Sequence, residues 1–136
     1  MSKEMAEDAK RLIKLMGLPC IVSPEEAEAQ CAELAKSETI HATLSEDMDA
    51  LTFGTPNLIR GLNSKKQPVV EICLETVLSE MGLTMDEFID LCILCGCDYT
   101  RTLPGIGPVR GYNYIKKHGS IEAIIDQLLT ENKDSK

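Results

Sequence analysis

The chain has 136 residues and a formal net charge of −8, with 43% hydrophobic residues, 4% aromatics and no Trp. That suits one domain with a modest aliphatic core, and no apolar run approaches the ~20 residues of a membrane span, so no membrane association is expected. The negative charge argues against a simple phosphate binder, which carries a basic field, unless carboxylates hold cations that invert the local field.

Met5, Ala9, Leu12, Ile13 and Met16 recur at helical spacing, predicting a helix over residues 3–16 stopped by Gly17 and Pro19. Cys20-Ile21-Val22 is a short strand candidate. Ser23 then reads as an N-cap, with Pro24 at the first helical position and Glu26 completing a capping box. This second helix is expected to reach Lys36, and Ile40–Leu44 to form a buried strand with His41 buried or at its edge. Strand, helix, strand predicts a parallel βαβ unit.

Asn57–Leu62 and Val69–Cys73 read as two further strands around a basic loop holding Lys65 and Lys66, itself most simply a solvated turn. Leu74–Met81 predicts a helix closed by Gly82. Thr84 caps the next helix, with Met85, Phe88, Ile89, Cys92 and Ile93 as its apolar face and Gly96 as its end. Cys97-Asp98-Tyr99 follows as a loop. Leu103–Pro108 forms a glycine turn before a helix reaching His118, and Ser120 caps a last helix to Leu129, with residues 131–136 a disordered tail.

Two carboxylate pairs stand out. Glu26/Glu28 follow the first predicted strand and Asp47/Asp49 follow the second, so both fall where α/β sheets place their sites. Hard cations such as Mg²⁺ take oxygen ligands, and two-metal phosphoryl-transfer sites gather several carboxylates. The pattern therefore reads as the acidic half of a divalent-metal site. The plainer alternatives are acidic residues favouring a helix N-terminus and Asp favouring turns. Asp98 alone is an ordinary loop aspartate, although Gly96 before it lets a ligand or another backbone come close.

Gly105-Ile106-Gly107 leads into a helix carrying Arg110, Lys116 and Lys117, as in the hairpin of a helix–hairpin–helix that offers backbone N–H groups to phosphate. A plain interhelical turn is the alternative. Cys92, Cys95 and Cys97 fall short of the four ligands of a structural zinc site, so core packing is the better reading. Six cysteines at irregular spacing, with no signal-peptide pattern at the start, predict free thiols in a reducing compartment.

Five stretches carry a resemblance: Leu15–Pro19, Pro24–Cys31, Ser45–Gly54, Asp90–Tyr99 and Leu103–Pro108. In this order they resemble the flap endonuclease branch of the XPG/Rad2 family of structure-specific nucleases. The resemblance implies a partial PIN-like α/β nuclease core over residues 1–83, followed by a helical helix–hairpin–helix (H3TH) DNA-binding element over residues 84–130. It implies that Glu26, Glu28, Asp47, Asp49 and Asp98 are catalytic metal-site carboxylates. It also implies that Glu26, Gly96 and Asp98 lie against DNA, and that Gly105, Gly107 and Arg110 hold the duplex backbone.

The implied reaction is two-metal phosphodiester hydrolysis on branched or flapped double-stranded DNA in replication and repair. The expected cofactors are two Mg²⁺ ions, with Mn²⁺ able to substitute, and K⁺ at the hairpin; the expected location is the nucleus. The alternative is a catalytically incomplete DNA-binding fragment of such a nuclease. Departures from the family bear on this. Its opening segment, with two further aspartates and a basic arch, has no counterpart before Met1, so the isolated chain is expected to be weakly active or inactive. No stretch near Lys136 resembles the sliding-clamp motif of full-length members. Val109 and Gly111 stand where the family has Lys and Ala, and Cys95 and Cys97 where it has Leu and a small residue.

Overall fold

The computed structural model describes residues 2–62, 68–100 and 103–134. Seven helices and a three-stranded sheet follow in chain order among these residues: α1 (Lys3–Leu15), α2 (Ala27–Lys36), β1 (Thr43–Leu44), α3 (Asp49–Thr52), β2 (Asn57–Arg60), β3 (Val70–Cys73), α4 (Leu74–Met81), α5 (Met85–Cys95), α6 (Pro108–His118) and α7 (Ile121–Asp134). The sheet order is β1-β2-β3. β1 runs parallel to β2, with Thr43 opposite Leu58, and β2 pairs antiparallel with β3. The fold is thus a partial α/β layer followed by helices. Among the described residues no helix is long and apolar enough to cross a membrane.

The helix ends follow local chemistry. Ser2 caps α1 by accepting from the Met5 N–H. Thr84 and Glu87 form a reciprocal capping box at α5. Gly82 closes α4 at φ 60°, a left-handed conformation that glycine adopts without a Cβ clash. Ser120 accepts from the Ala123 N–H at the head of α7. That last helix continues to Asp134 rather than ending at Leu129.

Several expectations fail where a strand or a cap depends on distant partners. Residues 20–22 form no strand among the described residues, and Ile21 and Val22 are exposed. A short apolar run becomes a strand only where a neighbour takes its backbone hydrogen bonds, and no described strand lies beside it. Ser23 does not cap α2. Its hydroxyl donates to the Glu25 carbonyl, and the helix begins three residues later with Glu26 as N-cap, without a side-chain cap bond. The second strand shrinks to Thr43–Leu44 because residues 37–42 turn the chain out of α2, with Glu38 at φ 57° and the Thr39 and Ile40 N–H groups donating to Leu34. The parallel unit is therefore β1–α3–β2. His41 lies outside the strand, exposed, with Nε2 3.6 Å from Glu71. The basic loop falls in residues 63–67, outside the described residues.

Two apolar clusters form the core. Ala50, Leu51, Leu58, Leu74 and Phe88 make one; Leu83, Leu91, Leu94, Ile115 and Ile124 make the other. Helix α5 feeds both, Phe88 and Cys92 on one side and Leu91, Leu94 and Cys95 on the other. Its buried surface is therefore wider than the single stripe expected, and Ile93 points outward at 36% exposure. Tyr112 Oη donates to the Met81 carbonyl at 2.7 Å and Lys116 Nζ to the Gly82 carbonyl at 2.8 Å, tying α6 to the end of α4.

Ile115 is fully buried, so Ile115→Ala should cost about 2–5 kcal/mol in urea unfolding, lost transfer energy plus cavity. Thr84→Ala should cost about 1 kcal/mol through the lost cap.

Candidate metal and nucleic-acid site

The start of α2 decides the geometry of the first carboxylate pair. With Glu26 at the N-cap in extended backbone (φ −73°, ψ 129°) and Glu28 inside the first turn, the pair escapes the helical phase that would send positions i and i+2 to different faces. Glu28 accepts from the Ser45 hydroxyl at 3.1 Å, which fastens α2 to the loop after β1. That loop is built in steps. The Asp47 N–H donates to Ser45 Oγ at 3.0 Å, and the Asp49 N–H donates to Asp47 Oδ1 at 2.9 Å, starting α3.

Behind the loop, Arg60 on β2 donates to the Glu46 carbonyl and to the Met48 sulfur, while Glu46 accepts from the Gly61 N–H. A buried hydroxyl pair, Thr43 with Thr55 at 2.7 Å, joins the two ends of the β1–α3–β2 crossover. Asp98 arrives from the far end of α5. Gly96, at φ 99°, turns the chain out of the helix, and Cys97 and Thr100 bridge to close the turn that carries Asp98 and Tyr99.

The structure brings all five sequence-predicted carboxylates into one electrostatic neighbourhood. Burial raises the Asp49 carboxyl above its ordinary value, and Asp47, Asp98, Glu26 and Glu28 each raise it further. Among the described residues none of the five has an Arg, Lys or His ion-pair partner; the basic groups that pair do so with Glu7, Glu33, Glu46 and Glu71. Nor do any three His, Cys, Asp or Glu side chains among them stand close enough together to hold an ion as they are. The carboxylates share a field without yet forming a closed ligand set. An all-oxygen donor set with uncompensated negative charge fits a hard divalent cation rather than a soft one.

Sequence reading gave Tyr99 no role. It lines one groove with Glu26, whose carboxylate, ahead of burial and the nearby Asp98 and Asp49, pushes its phenol up to about 12. Tyr99 and Phe53 wall two adjoining spaces. One, a groove of about 810 Å³, runs along α2 past Glu26, Gln30 and Glu33; the other, about 500 Å³, reaches Asp49, Gly96 and the α5 thiols. No local pattern marks a loop tyrosine for such a contact, which spans elements far apart in the chain. Cys92 and Cys95 are held protonated by burial, in keeping with packing. Cys97 differs: hydrogen bonding to Thr100 lowers its thiol, and it sits on the turn. All six thiols are free.

The glycine hairpin stands apart from the carboxylates, ahead of α6. Gly105 needs its glycine (φ 81°), whereas Gly107 is extended (φ −106°, ψ −177°) and serves as an N-cap with open space around it. Only one of the two glycines makes the tight turn. Arg110 Nη1 donates to the Gly105 carbonyl at 3.1 Å, so it braces the hairpin. Val109 is exposed, and Gly111 packs against α5, where an added Cβ would meet Cys95 Sγ and Leu91 Cδ1 at 3.3 Å.

A mixed-sheet fragment with a carboxylate cluster gathered from three segments and a glycine hairpin on the following helices defines the α/β core of the 5′ nucleases. The family model of the XPG I-region matches residues 17–98, and the chain belongs to this family. It is 52% identical over 134 residues to "Flap endonuclease 1" of Tetrahymena thermophila, an alignment covering 98% of the chain and 35% of that protein. The flap endonuclease-1 structure from Methanococcus jannaschii superposes with a TM-score of 0.87 at 34% identity, over 93% of this chain and 40% of that one. A structure of the catalytic core of Rad2 in complex with DNA substrate gives 0.90 at 31% identity, over 99% of this chain and 44% of that one. The chain spans about a third of the length of the curated relatives it matches.

Because the folded pKa of Asp49 lies above its unfolded value, folding takes up a proton between the two. The metal-free protein should therefore lose stability as pH rises through that window. In chelator at neutral pH, Asp49→Asn should melt higher than the parent, and a scanning-calorimetry series in pH should show a flatter profile for the variant.

Proposed function

We propose that the protein works as the metal- and DNA-handling part of a structure-specific 5′ nuclease, hydrolysing a phosphodiester at the base of a flap in branched DNA. The observation that carries this is the gathering of five carboxylates around Asp49 without a basic partner among the described residues. Glu26, Glu28, Asp47, Asp49 and Asp98 would hold the divalent cations, Mg²⁺ or Mn²⁺. Bound there, such ions lower the pKa of water and stabilise the leaving oxygen.

The chain's own residues supply position and charge. Ser45, Glu46 and Arg60 hold the Asp47–Asp49 loop still. Gly96 lets the backbone of the Asp98 turn approach closely, and Glu26 and Asp98 would face the DNA there. At the hairpin, the start of α6 carries no side-chain cap, and among the described residues nothing lies within 4 Å of where a Cβ on Gly107 would stand. Gly105, Gly107 and Arg110 would hold the duplex backbone, with K⁺ a candidate for the carbonyls of the turn. Arg110 and, at the other end of α6, Lys116 and Lys117 supply local positive charge within an acidic chain. Double-stranded DNA with a branch is the partner, the reducing nucleus the expected setting. A DNA-binding piece without turnover is the second reading, favoured by the absence of a closed ligand set among the described residues.

Binding of flap DNA should fall steeply with salt, and Arg110→Ala should weaken it across sequences and reduce the salt slope by about 1. Titrated Mn²⁺ should broaden the amide resonances near Asp47 and Asp98 well before those of α7. Equal broadening in both regions would overturn the shared site. Mg²⁺-dependent cleavage that Asp98→Asn abolishes, with DNA affinity kept, separates the enzyme from the binding piece.

A further inference from the structure

We propose that α1 is a self-association surface, through which two copies of this chain pair with their α1 helices antiparallel. This pairing does not depend on the nuclease reading and goes beyond it.

Helix α1 buries none of its residues and belongs to neither apolar cluster. Among the described residues it packs extensively against no other element. Isolated helices shorter than about 12–15 residues are marginal in water, and an apolar helix face gains stability only when something covers it. Met5, Ala9, Leu12 and, at the C-cap, Met16 are all exposed, and they recur at steps of four, three and four residues. At about 100° per residue these four fall within about 60° of the helix circumference. That is the spacing of a coiled-coil seam. The partly covered residues, Ala6, Lys10 and Ile13, follow another line of the helix, so the body of the chain does not close the stripe.

Charge decides what covers it. Glu4, Glu7 and Asp8 lie in the first half of α1 and Lys10, Arg11 and Lys14 in the second, with Lys3 the exception at the start. Glu7 pairs with Lys10 inside the helix, whereas among the described residues neither Asp8 nor Arg11 has an ion-pair partner. A partner of one sign would suit only half of this helix. A second α1 laid antiparallel suits both halves, because its basic half runs along the acidic half and the helix dipoles oppose. Helical phase puts Asp8 and Arg11 on one flank of the stripe. A two-fold axis then sets Asp8 of each copy beside Arg11 of the other. Parallel pairing would set like against like at both positions.

The test uses the whole chain, with mass followed by sedimentation over a concentration series and backbone protection followed by hydrogen exchange. The parent should pass from monomer to dimer, and the α1 amides should gain protection as it does while those of α5 stay unchanged. Leu12→Gln should weaken the dimer at least about tenfold. Asp8→Arg and Arg11→Asp should each weaken it about tenfold, since each turns two attractive pairs into two repulsive ones. Both changes in one chain should restore the parent's affinity, and mixing the two single variants should give a heterodimer of similar affinity. These positions are exposed, and circular dichroism of the monomers checks that the variants fold. A parent that stays monomeric at every concentration gives the face to another polypeptide and overturns the proposal. Growth past the dimer without a plateau makes the contact non-specific and overturns it. A dimer indifferent to Leu12→Gln forms elsewhere on the surface, and one indifferent to both charge reversals is not antiparallel through α1; either result overturns it as well.

Discussion

Mutual repulsion among carboxylates is the constraint on which the rest of this structure turns. Five acidic side chains from three separate segments share one field, and burial at Asp49 sharpens it. Like charges drift apart unless the backbone beneath them is stiff. Around this cluster the stiffening is dense and polar. Ser45 serves both Glu28 and Asp47, Asp47 caps the turn into Asp49, and Arg60 and Glu46 clamp the loop from behind. The buried Thr43–Thr55 pair closes the crossover that carries the loop. These bonds look redundant for a two-residue strand and a one-turn helix. They are what a short, strained-by-charge loop needs.

That constraint also explains why the helical part is so thoroughly tied down. Asp98 sits at the end of α5, and α5 is the element that both apolar clusters share. Fixing α5 therefore fixes Asp98 relative to the sheet. Helix α6 crosses α5 closely at Gly111, where a larger residue would press on Cys95 and Leu91. The Ile121 N–H donates to Asp90, joining α7 to the same helix. The hairpin at Gly105 then inherits its orientation from packing that also holds the carboxylate turn, so a phosphate contact at one would be registered against the other.

The parts of the fold legible in sequence are those whose cause is local. Thr84 with Glu87, Gly82, Gly96 and Ser120 mark helix ends because each bonds within a few residues of itself. Strands are different. Residues 20–22 have the composition of a strand and no described partner, whereas Asn57–Arg60 and Val70–Cys73 take each other's backbone hydrogen bonds in antiparallel register. The capping box at Ser23 fits the sequence rule as well as the one at Thr84, yet loses to a turn in which Ser23 bonds Glu25. Asp47 and Asp49 could be named because they follow a strand that forms, whereas Glu26 and Glu28 follow residues 20–22, which form none, and Asp98 is named by the family resemblance alone. Tyr99 could not be named, because its contact depends on where two distant segments meet.

The overall charge of −8 and the proposed DNA partner stand in apparent conflict, and the distribution of charge resolves it. The five clustered carboxylates have no basic partner among the described residues, so cations bound there would remove much of the negative field facing a phosphate. Elsewhere acidic residues pair with their own neighbours, as Glu7 does with Lys10 and Glu33 with Lys36. Lys116 and Lys117 gather at the end of α6, where they also oppose the negative end of the helix dipole. What matters for a phosphate is the potential at two places, the carboxylate cluster and the α6 hairpin, and not the sum over the chain. At the first the sign depends on bound cations; at the second it is set by backbone N–H groups and Arg110. On the proposed reading, metal occupancy would govern how DNA lies at the cluster, while contact at the hairpin would not depend on it.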